Sequence, residues 1–576
     1  MPSLRAAVRG IGPAIVVAAS VALSCGPAAA YAAECSNADA VRVPGAETQK
    51  SACLDDLTTA GTATTGHTDP SDYTGLTPTA QKNPSGVPGL QVDGYFPDDS
   101  TFNGENGWNH DAQFVMRFPD KWNGKVVITG APGIRKQYSV DPVISDFVLA
   151  KGYAYAATDK GNSGATFYRD GATPGDAIAE WNMRVTQLTV AMKEAARLKY
   201  GRSPARTYVT GISNGGYLTR WQLENHPELY DAGVDWEGTL FEDDGPNLFS
   251  YLPVALREYP KYRAGDRAAH DAMIAAGYAP GSEFLWEDHY GEYWDLTQRT
   301  YREEFDPGYD GPLEAGIAFC QSGTPSCDAD YDYSKAPADA HAGMRKVGLT
   351  GHIGKPMLTL HGTLDALLPI ATDSDVYDRK VAAAGAGALH RYYVIEDGNH
   401  VDGRYDAHPN ELRPIHPCWD AAFDSVAAWA EHGTAPPPSQ FVPNPGSGDL
   451  ANTCTLARGA DVISAATGAA RSPLAHRVRP RALSLTVRRR GHRYRMTGRL
   501  LLPKPLTRAQ ACGAGTVRVR ASRRGHTVRI RRARVRRDCT FAATTTIAHR
   551  TRLVFRGRFL GNRALTAKSS RTRRVR

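Results

Sequence analysis

The stretch that decides the fold runs from residue 207 to residue 221 and reads TYVTGISNGGYLTRW. Its first part is β-branched and predicts a strand, whereas the residues after position 214 have the pattern of a helix. The pentapeptide GISNG between them is a G-x-S-x-G turn, and its glycines leave room for a bend too tight for larger side chains. A serine at the apex of such a bend projects above the sheet, so we predict that Ser213 is a nucleophile.

The base and the acid are expected later in the chain, because this kind of turn is followed by the acid and then the histidine. Residues 358–365 predict a strand whose following loop carries Asp365, and residues 392–400 predict the next strand, followed by His400. The carboxyl ends of parallel strands meet at one edge of a sheet, which brings both side chains beside Ser213. We therefore predict a Ser213–Asp365–His400 triad.

Other residues compete for the roles of base and acid. The chain has 17 histidines, and His361 stands just before the acid loop, where we expect it to pack or hydrogen-bond beneath Asp365. Glu396 and Asp397 are alternative acids, but they are only three or four residues from His400 and would have to fold back on it.

A tetrahedral intermediate needs two preorganised N–H donors. We expect one to be the amide of Asn214, directly after the nucleophile. The other is expected from the loop of residues 130–133, where Pro132 has no N–H to give. Ala131 or Gly133 is the candidate there.

We call the G-x-S-x-G turn at residues 211–215 the elbow. Strands alternate with amphipathic helices on either side of it, which predicts an α/β-hydrolase fold with a mostly parallel sheet covered on both faces. The alternation breaks in an aromatic-rich segment that we interpret as a lid insertion. The predicted organisation is a signal peptide at 1–33, a hydrolase core at 34–240 and 352–445 with the lid at 241–351, a linker at 446–475 and a basic β-sandwich domain at 476–576.

The net charge of +8 is the sum of two opposed blocks. Residues 477–576 hold 31 lysines and arginines against one acidic residue, Asp538, so the body of the chain is acidic and the tail strongly basic. Short alternating runs between turn residues predict the small β-sandwich, which resembles the immunoglobulin-like domains of secreted actinobacterial proteins. Its arginines suit an anionic polysaccharide or a cell-wall surface. No RNA-binding aromatic motif accompanies the charge, and we expect no specific nucleic-acid recognition.

The N-terminal segment has the layout of a secretory signal peptide, with Arg5 and Arg9 before an apolar run and small residues ending near Ala33. We therefore expect a secreted protein, with a lipid anchor on Cys25 as the alternative. No other stretch is long and apolar enough to cross a membrane. The remaining eight cysteines predict disulfides in an oxidising compartment, with a connectivity that sequence alone does not fix. Pairing nearest neighbours gives Cys35–Cys53, Cys320–Cys327, Cys418–Cys454 and Cys512–Cys539.

Five motifs occur together: GISNGGY at 211–217, HGTLD at 361–365, GNH at 398–400, WNGK at 122–125 and WAEHGTAP at 429–436. With them, residues 90–445 resemble the tannase and feruloyl esterase group of secreted α/β-hydrolases. The resemblance implies a serine carboxylic-ester hydrolase with a large lid, often acting on aromatic acid esters through an acyl-enzyme. That group places one cysteine before the nucleophile and another beside the catalytic histidine, whereas this chain has Ile212 and Asn399 there.

The same elbow and acid loop also resemble polyhydroxybutyrate-type depolymerases or oligomer hydrolases, and prolyl-oligopeptidase-like serine peptidases. These families share the fold and differ in substrate. About ninety residues precede the resemblance and show no propeller-like repeat, which disfavours the peptidase. A non-enzymatic alternative is a surface protein that binds anionic polymers.

Three acids of the lid, Asp328, Asp330 and Asp332, alternate along the chain and are candidate calcium ligands. The glycine and the distal glutamate of an EF-hand loop are missing, so a solvated acidic loop is the favoured interpretation. We expect no other metal and no cofactor.

Overall fold

The computed structural model describes residues 41–98, 110–309, 328–457, 479–502, 508–512, 515–524, 526–548, 552–562, 565 and 567–575. The predicted signal peptide and Cys25 lie outside these ranges. The first strands of the chain build one ten-stranded sheet in the order β1-β2-β3-β5-β4-β6-β7-β8-β9-β10. These strands are β1 (Thr48–Leu54), β2 (Gly89–Tyr95), β3 (Gln113–Pro119), β4 (Lys125–Gly130), β5 (Ala154–Thr158), β6 (Arg206–Ile212), β7 (Ala232–Trp236), β8 (Met357–Gly362), β9 (His390–Ile395) and β10 (Gln440–Val442).

The sheet is parallel from β5 through β4 and β6 to β10, and β1, β2 and β3 add an antiparallel edge. Nearly every residue of the central strands is buried, because helices cover both faces. The helices are α1 (Thr59–Thr65), α2 (Asp146–Ala150), α3 (Asp176–Tyr200), α4 (Asn214–Asn225), α5 (Leu248–Arg263), α6 (Arg267–Ala275), α7 (Trp286–Glu292), α8 (Trp294–Phe305), α9 (Ala338–Val347), α10 (Ser374–Ala383), α11 (His416–His432) and α12 (Arg508–Ala511).

Two hydrophobic cores flank the sheet. On one face, strand residues such as Ile128 pack with α3 and α4 through Trp181 and Leu218. On the other face, Trp419 and Phe423 of α11 pack against the sheet. Helices α5 to α9 lie in the chain between β7 and β8, in the segment that we interpreted as a lid, and their apolar residues join the first core.

The C-terminal region forms two facing β-sheets around a third core. Alternate residues of each strand, such as Tyr494 and Met496 in one sheet and Val517 and Val519 in the other, point into this core. The predicted fold class, an α/β domain followed by an all-β domain, is confirmed. The strands are β11 (Ala482–Leu483), β12 (Thr486–Arg490), β13 (Arg493–Leu501), β14 (Thr516–Arg523), β15 (His526–Arg534), β16 (Thr540–Thr546), β17 (Leu553–Phe559), β18 (Lys568–Ser569) and β19 (Arg573–Val575).

Three arginines in a cross-strand row connect the two domains. Arg518 of β14 lies opposite Arg532 of β15 on one side and opposite Arg558 of β17 on the other. Each contacts an acid of the hydrolase domain: Arg532 lies 3.0 Å from Asp397, Arg558 3.0 Å from Glu283 and Arg518 3.5 Å from Glu411. These three pairs form one docking contact, which we call the arginine row.

Two disulfides join Cys418 to Cys454 and Cys512 to Cys539. Cys53 is also disulfide-bonded, whereas Cys35, Cys320 and Cys327 lie outside the described residues. Among the helices that the structure describes, none has the length and apolar character that a membrane span requires.

Candidate active site

Ser213 stands at the junction between β6 and α4 with φ 58° and ψ −120°, a backbone conformation that non-glycine residues rarely adopt. The chain accommodates this bend only with small neighbours. A Cβ at Gly211 would lie 2.4 Å from the backbone of Gly215, and a Cβ at Gly215 would lie 2.5 Å from the carbonyl oxygen of Gly130. The two glycines of the pentapeptide are thus required because a larger residue at either position would clash with neighbouring backbone.

His400 and Asp365 lie in loops at the carboxyl ends of β9 and β8, as the sequence predicts. His400 Nδ1 is 2.8 Å from Asp365 Oδ2, and both side chains are buried. The distance is that of a hydrogen bond from the ring N–H to the carboxylate. This bond leaves Nε2 of the histidine as the nitrogen available to accept a proton.

The Asp365 carboxylate is held by several donors. The amides of Leu367 and Leu368 each donate to Oδ1 at 2.8 Å, and His361 Nε2 lies 3.2 Å from Oδ2. Burial opposes ionisation, but the charge on His400 and the hydrogen bond from His361 hold the pKa of Asp365 well below its usual range. Asp365 is therefore a fixed anion at neutral pH.

The competing residues have other partners. His361 is buried, with Nδ1 2.7 Å from Ser374 Oγ and Nε2 2.9 Å from the Leu368 carbonyl oxygen, as expected of a residue beneath the acid loop. Asp397 accepts hydrogen bonds from Asn444 and Arg532. Glu396 accepts one from the Asn444 amide at 3.0 Å.

The site contains a second carboxyl group, that of Glu237, which was not predicted from the sequence. Glu237 follows β7 directly and is fully buried, with Oε2 3.6 Å from His400 Nδ1. Its Oε1 accepts a 2.6 Å hydrogen bond from the Gly362 amide. The signal that could have found it is its position at the carboxyl end of a buried strand that lies between the strands of Ser213 and Asp365 in the sheet.

The structure separates the oxyanion-hole candidates. The Ala131 amide donates to the Thr158 carbonyl at 2.9 Å, so the prediction that Ala131 donates to an oxyanion is wrong. Gly133 lines the cavity beside Ser213 and Asn214. The Asn214 side chain also donates to the Gly133 carbonyl at 3.1 Å, which ties the loop after β4 to the elbow. Asn214 and Gly133 remain the predicted donors.

A cavity of about 360 Å³ lies above Ser213 and His400. Residues of α7, α8 and the segment between them close one side of it, including Tyr293 and Tyr301. The Tyr301 hydroxyl donates to Asn214 Oδ1 at 2.9 Å and so joins α8 to the start of α4. Apolar side chains form most of the remaining wall, together with Arg135, Glu292 and three threonines, Thr239, Thr297 and Thr300. The cavity suits a ligand with a flat or apolar portion.

The three candidate calcium ligands do not converge. Asp328 Oδ2 lies 2.8 Å from Arg302 Nε, and Asp330 accepts a 2.8 Å hydrogen bond from the Tyr309 hydroxyl. Asp332 caps a turn and pairs with Lys335 at 2.9 Å. Each carboxylate already has a protein partner, and the three do not form a cluster with metal-ligand spacing in the described part of the chain.

Residues 103–234 match the family model of tannase and feruloyl esterase. This part of the chain is tannase-like. The resemblance inferred from the motifs is confirmed over this range, which includes Ser213. Residues 317–472, which include Asp365 and His400, match the model of 3HB-oligomer hydrolase.

Curated relatives match over shorter segments. A D-(-)-3-hydroxybutyrate oligomer hydrolase of Cupriavidus pinatubonensis is 30% identical over 163 residues, 25% of this chain and 23% of that protein. A mono(2-hydroxyethyl) terephthalate hydrolase of Piscinibacter sakaiensis is 26% identical over 146 residues, 23% of this chain and 24% of that protein. The alignments thus span about a quarter of the length of these relatives.

Solved structures are similar over more of the chain. Feruloyl esterase B from Aspergillus oryzae has a TM-score of 0.42 and 14% identity, covering 72% of this chain and 94% of that one. Tannin acyl hydrolase from Aspergillus niger has a TM-score of 0.38 and 15% identity, covering 68% and 84%.

Proposed function

We propose that the protein is a serine carboxylic-ester hydrolase that acts through Ser213, His400 and Asp365. The observation that carries this proposal is the convergence of the strained serine and the hydrogen-bonded His400–Asp365 pair at one cavity. The matches to tannase and feruloyl esterase and to 3HB-oligomer hydrolase support ester hydrolysis as the reaction.

In the proposed mechanism His400 Nε2 accepts the proton of Ser213 as Oγ attacks the ester carbonyl carbon. The amides of Asn214 and Gly133 stabilise the oxyanion of the tetrahedral intermediate. When the intermediate collapses, the carbon–oxygen bond to the alcohol breaks and His400 returns the proton to that alcohol. Water then attacks the acyl-enzyme by the same route, which releases the acid and restores Ser213. Asp365 holds the ring in one tautomer and stabilises the imidazolium.

Esters of aromatic acids are the first candidate substrates, because Tyr293 and Tyr301 offer flat faces in a cavity whose wall is mostly apolar. Hydroxybutyrate oligomers are the second candidate, favoured by the match over the half of the site that carries Asp365 and His400. Arg135 in the cavity wall suits the free carboxylate of such an oligomer.

The test is a panel of aromatic, short aliphatic and hydroxybutyrate esters, together with labelling by a fluorophosphonate. This probe reacts with an activated serine whatever the natural substrate. We expect the parent protein to be labelled and to hydrolyse at least one ester class, and Ser213→Ala to do neither. A Ser213→Ala variant that keeps ester turnover would refute the proposal.

We also propose that the protein is secreted, which the two described disulfides support because disulfides persist in oxidising compartments. N-terminal sequencing of protein collected from the medium tests this. A mature chain beginning near residue 33 or 34 is expected, whereas a lipid-modified N-terminus at Cys25 would favour the anchored alternative.

We propose further that the C-terminal domain binds a carboxylate-bearing polysaccharide. Arg488 lies opposite Arg495, and Arg490 opposite Arg493, so four exposed arginines share one face of β12 and β13. Like charges directly opposite one another destabilise a sheet, and an anionic partner removes that cost. The arginine row on the other sheet already binds carboxylates of the same chain.

Retention on a polygalacturonate column tests this surface. Arg488→Glu/Arg495→Glu is expected to abolish retention that the parent loses only at raised salt. Arg523→Glu/Arg524→Glu changes the net charge equally at the end of β14 and in the turn that follows it, and is the matched control. Equal loss in both variants would show that net charge, and not this face, causes retention.

A further inference from the structure

Glu237 is the ionisable group of the site that the proposed mechanism leaves without a role. One carboxylate oxygen of Glu237, one of Asp365 and one ring nitrogen of His400 lie within 4.8 Å of one another, and all three side chains are buried. Two carboxyl groups therefore face the same ring nitrogen. Only one of them, Asp365, lies at hydrogen-bonding distance.

Both the backbone and the side chain of Glu237 are held in place by hydrogen bonds. The residue has φ 51°, in the left-handed region that favours glycine, so its conformation costs stability. Its amide donates to the Leu360 carbonyl at 2.9 Å and its Oε1 accepts from the Gly362 amide, so both ends are fixed to β8. No hydrogen bond of ordinary length reaches Oε2 from any described residue. Oε2 thus faces His400, and the Trp236 side chain also interacts with the Glu237 carboxyl.

The surrounding charges decide which carboxyl is ionised. Asp365 and His400 face Glu237 from the loops after β8 and β9, and Asp402 lies near it in the second of these loops. Burial raises the pKa of Glu237 well above its usual value, and the charge of Asp365 raises the pKa further. Two like charges so close together in a buried site do not both persist, so Asp365 carries the charge and Glu237 the proton.

We propose that Glu237 is a positioning residue of the histidine, and that its carboxyl can replace Asp365 as the hydrogen-bond acceptor of the His400 ring. This inference rests on the proposed serine-hydrolase function. In Asp365→Asn the charge that keeps Glu237 protonated is gone. Glu237 then releases its proton to solvent, and its Oε2 accepts the Nδ1–H of His400 after a movement of less than about 1 Å.

The test is a double-mutant cycle read by the rate of fluorophosphonate labelling. Glu237→Gln keeps the size of the side chain and the acceptor for Gly362. The factor by which Glu237→Gln lowers the labelling rate is expected to be about ten times larger in the Asp365→Asn background than in the parent with Asp365. The control is Glu431→Gln, which removes a carboxylate bound to Lys125 and Tyr208 and should act equally in both backgrounds.

The pH profile separates this role from a merely structural one. The ratio of the Asp365→Asn rate to the Asp365→Asn/Glu237→Gln rate is expected to rise with pH as Glu237 ionises, because only the single variant gains a carboxylate beside the His400 ring. A pH-independent ratio, or equal effects of Glu237→Gln in both backgrounds, overturns the proposal for Glu237. A parent protein that is not labelled at all overturns the serine-hydrolase function instead, and this inference with it.

Discussion

Arg220 offers a sharp test of how the elbow is supported. It lies in α4, the helix that begins directly after Ser213, and its side chain is fully buried. Nε lies 2.7 Å from Asp235 and Nη1 3.0 Å from Asp373, while Nη2 donates to Ser374 Oγ at 2.8 Å. Ser374 in turn contacts His361, a partner of Asp365. One guanidinium thus connects the nucleophile helix to the acid loop.

Arg220→Met fills similar space but leaves two buried carboxylates without their cation. Breaking a buried ion pair by removing one partner costs about 3–5 kcal/mol. The remaining donors to Asp235 are the Gly238 amide at 2.8 Å and the Thr359 hydroxyl at 2.9 Å. Those to Asp373 are the Leu240 amide at 2.8 Å and the Ser374 hydroxyl at 3.4 Å, and none of these neutral donors replaces the charge. We expect the free energy of unfolding to fall by roughly that amount.

The matched control is Arg206→Met. Arg206 lies 3.6 Å from Asp231, and the two side chains are 39% and 33% exposed, so its loss should cost less than about 1 kcal/mol. Urea unfolding followed by tryptophan fluorescence measures both variants. All nine tryptophans precede residue 430, so the signal reports the hydrolase domain alone. A loss in Arg220→Met no larger than that in Arg206→Met would refute the reasoning.

The same variant has an expected pH dependence. Burial raises the pKa of Asp373 in the parent, and Arg220 lowers it. Without Arg220 the carboxyl therefore binds a proton more readily in the folded chain than in the unfolded one. A folded state that binds more protons is favoured by acid, so the stability deficit of Arg220→Met should shrink as the pH falls from neutral.

Three further outcomes are expected. Ser213→Ala and His400→Ala should each lower kcat by about 10⁴ or more in ester hydrolysis, because the triad acts as a unit; near-full activity in either variant contradicts the mechanism. A chain ending at residue 457 keeps the Cys418 disulfide and should hydrolyse a small ester with a kcat/KM within a few-fold of that of the full chain. Its Tm should be lower because the arginine row is gone, and an unchanged Tm argues against the docking contact. Cys418→Ser opens a loop with a sequence separation of 36 and should cost about 4 kcal/mol in urea unfolding under oxidising conditions.

Much of the hydrolase core could be predicted from the sequence because its signals are local. The strand before Ser213, the glycines of the elbow and the order of the acid and histidine loops each follow from periodicity or chain order. The structure brings Asp365 and His400 to hydrogen-bonding distance, and their catalytic roles stay a prediction.

The features that escaped prediction depend on contacts between distant segments. Whether the Ala131 amide is free depends on Thr158, the last residue of β5, which lies beside β4 in the sheet. Glu237 enters the site because β7 lies between β6 and β8, an order that spacing along the chain does not reveal. The arginine row combines single residues from three strands and meets acids from three parts of the hydrolase domain, so no window of sequence contains it.

The arginine row has a consequence for biosynthesis. Glu283, Asp397 and Glu411 leave the ribosome well before Arg518, Arg532 and Arg558, because the chain is made from its N-terminus. A hydrolase domain that folds before the chain is complete therefore has only its own partners for these carboxylates, such as Asn444 for Asp397 and His270 for Glu283. Completion of translation, rather than any later ligand, supplies their counter-charges.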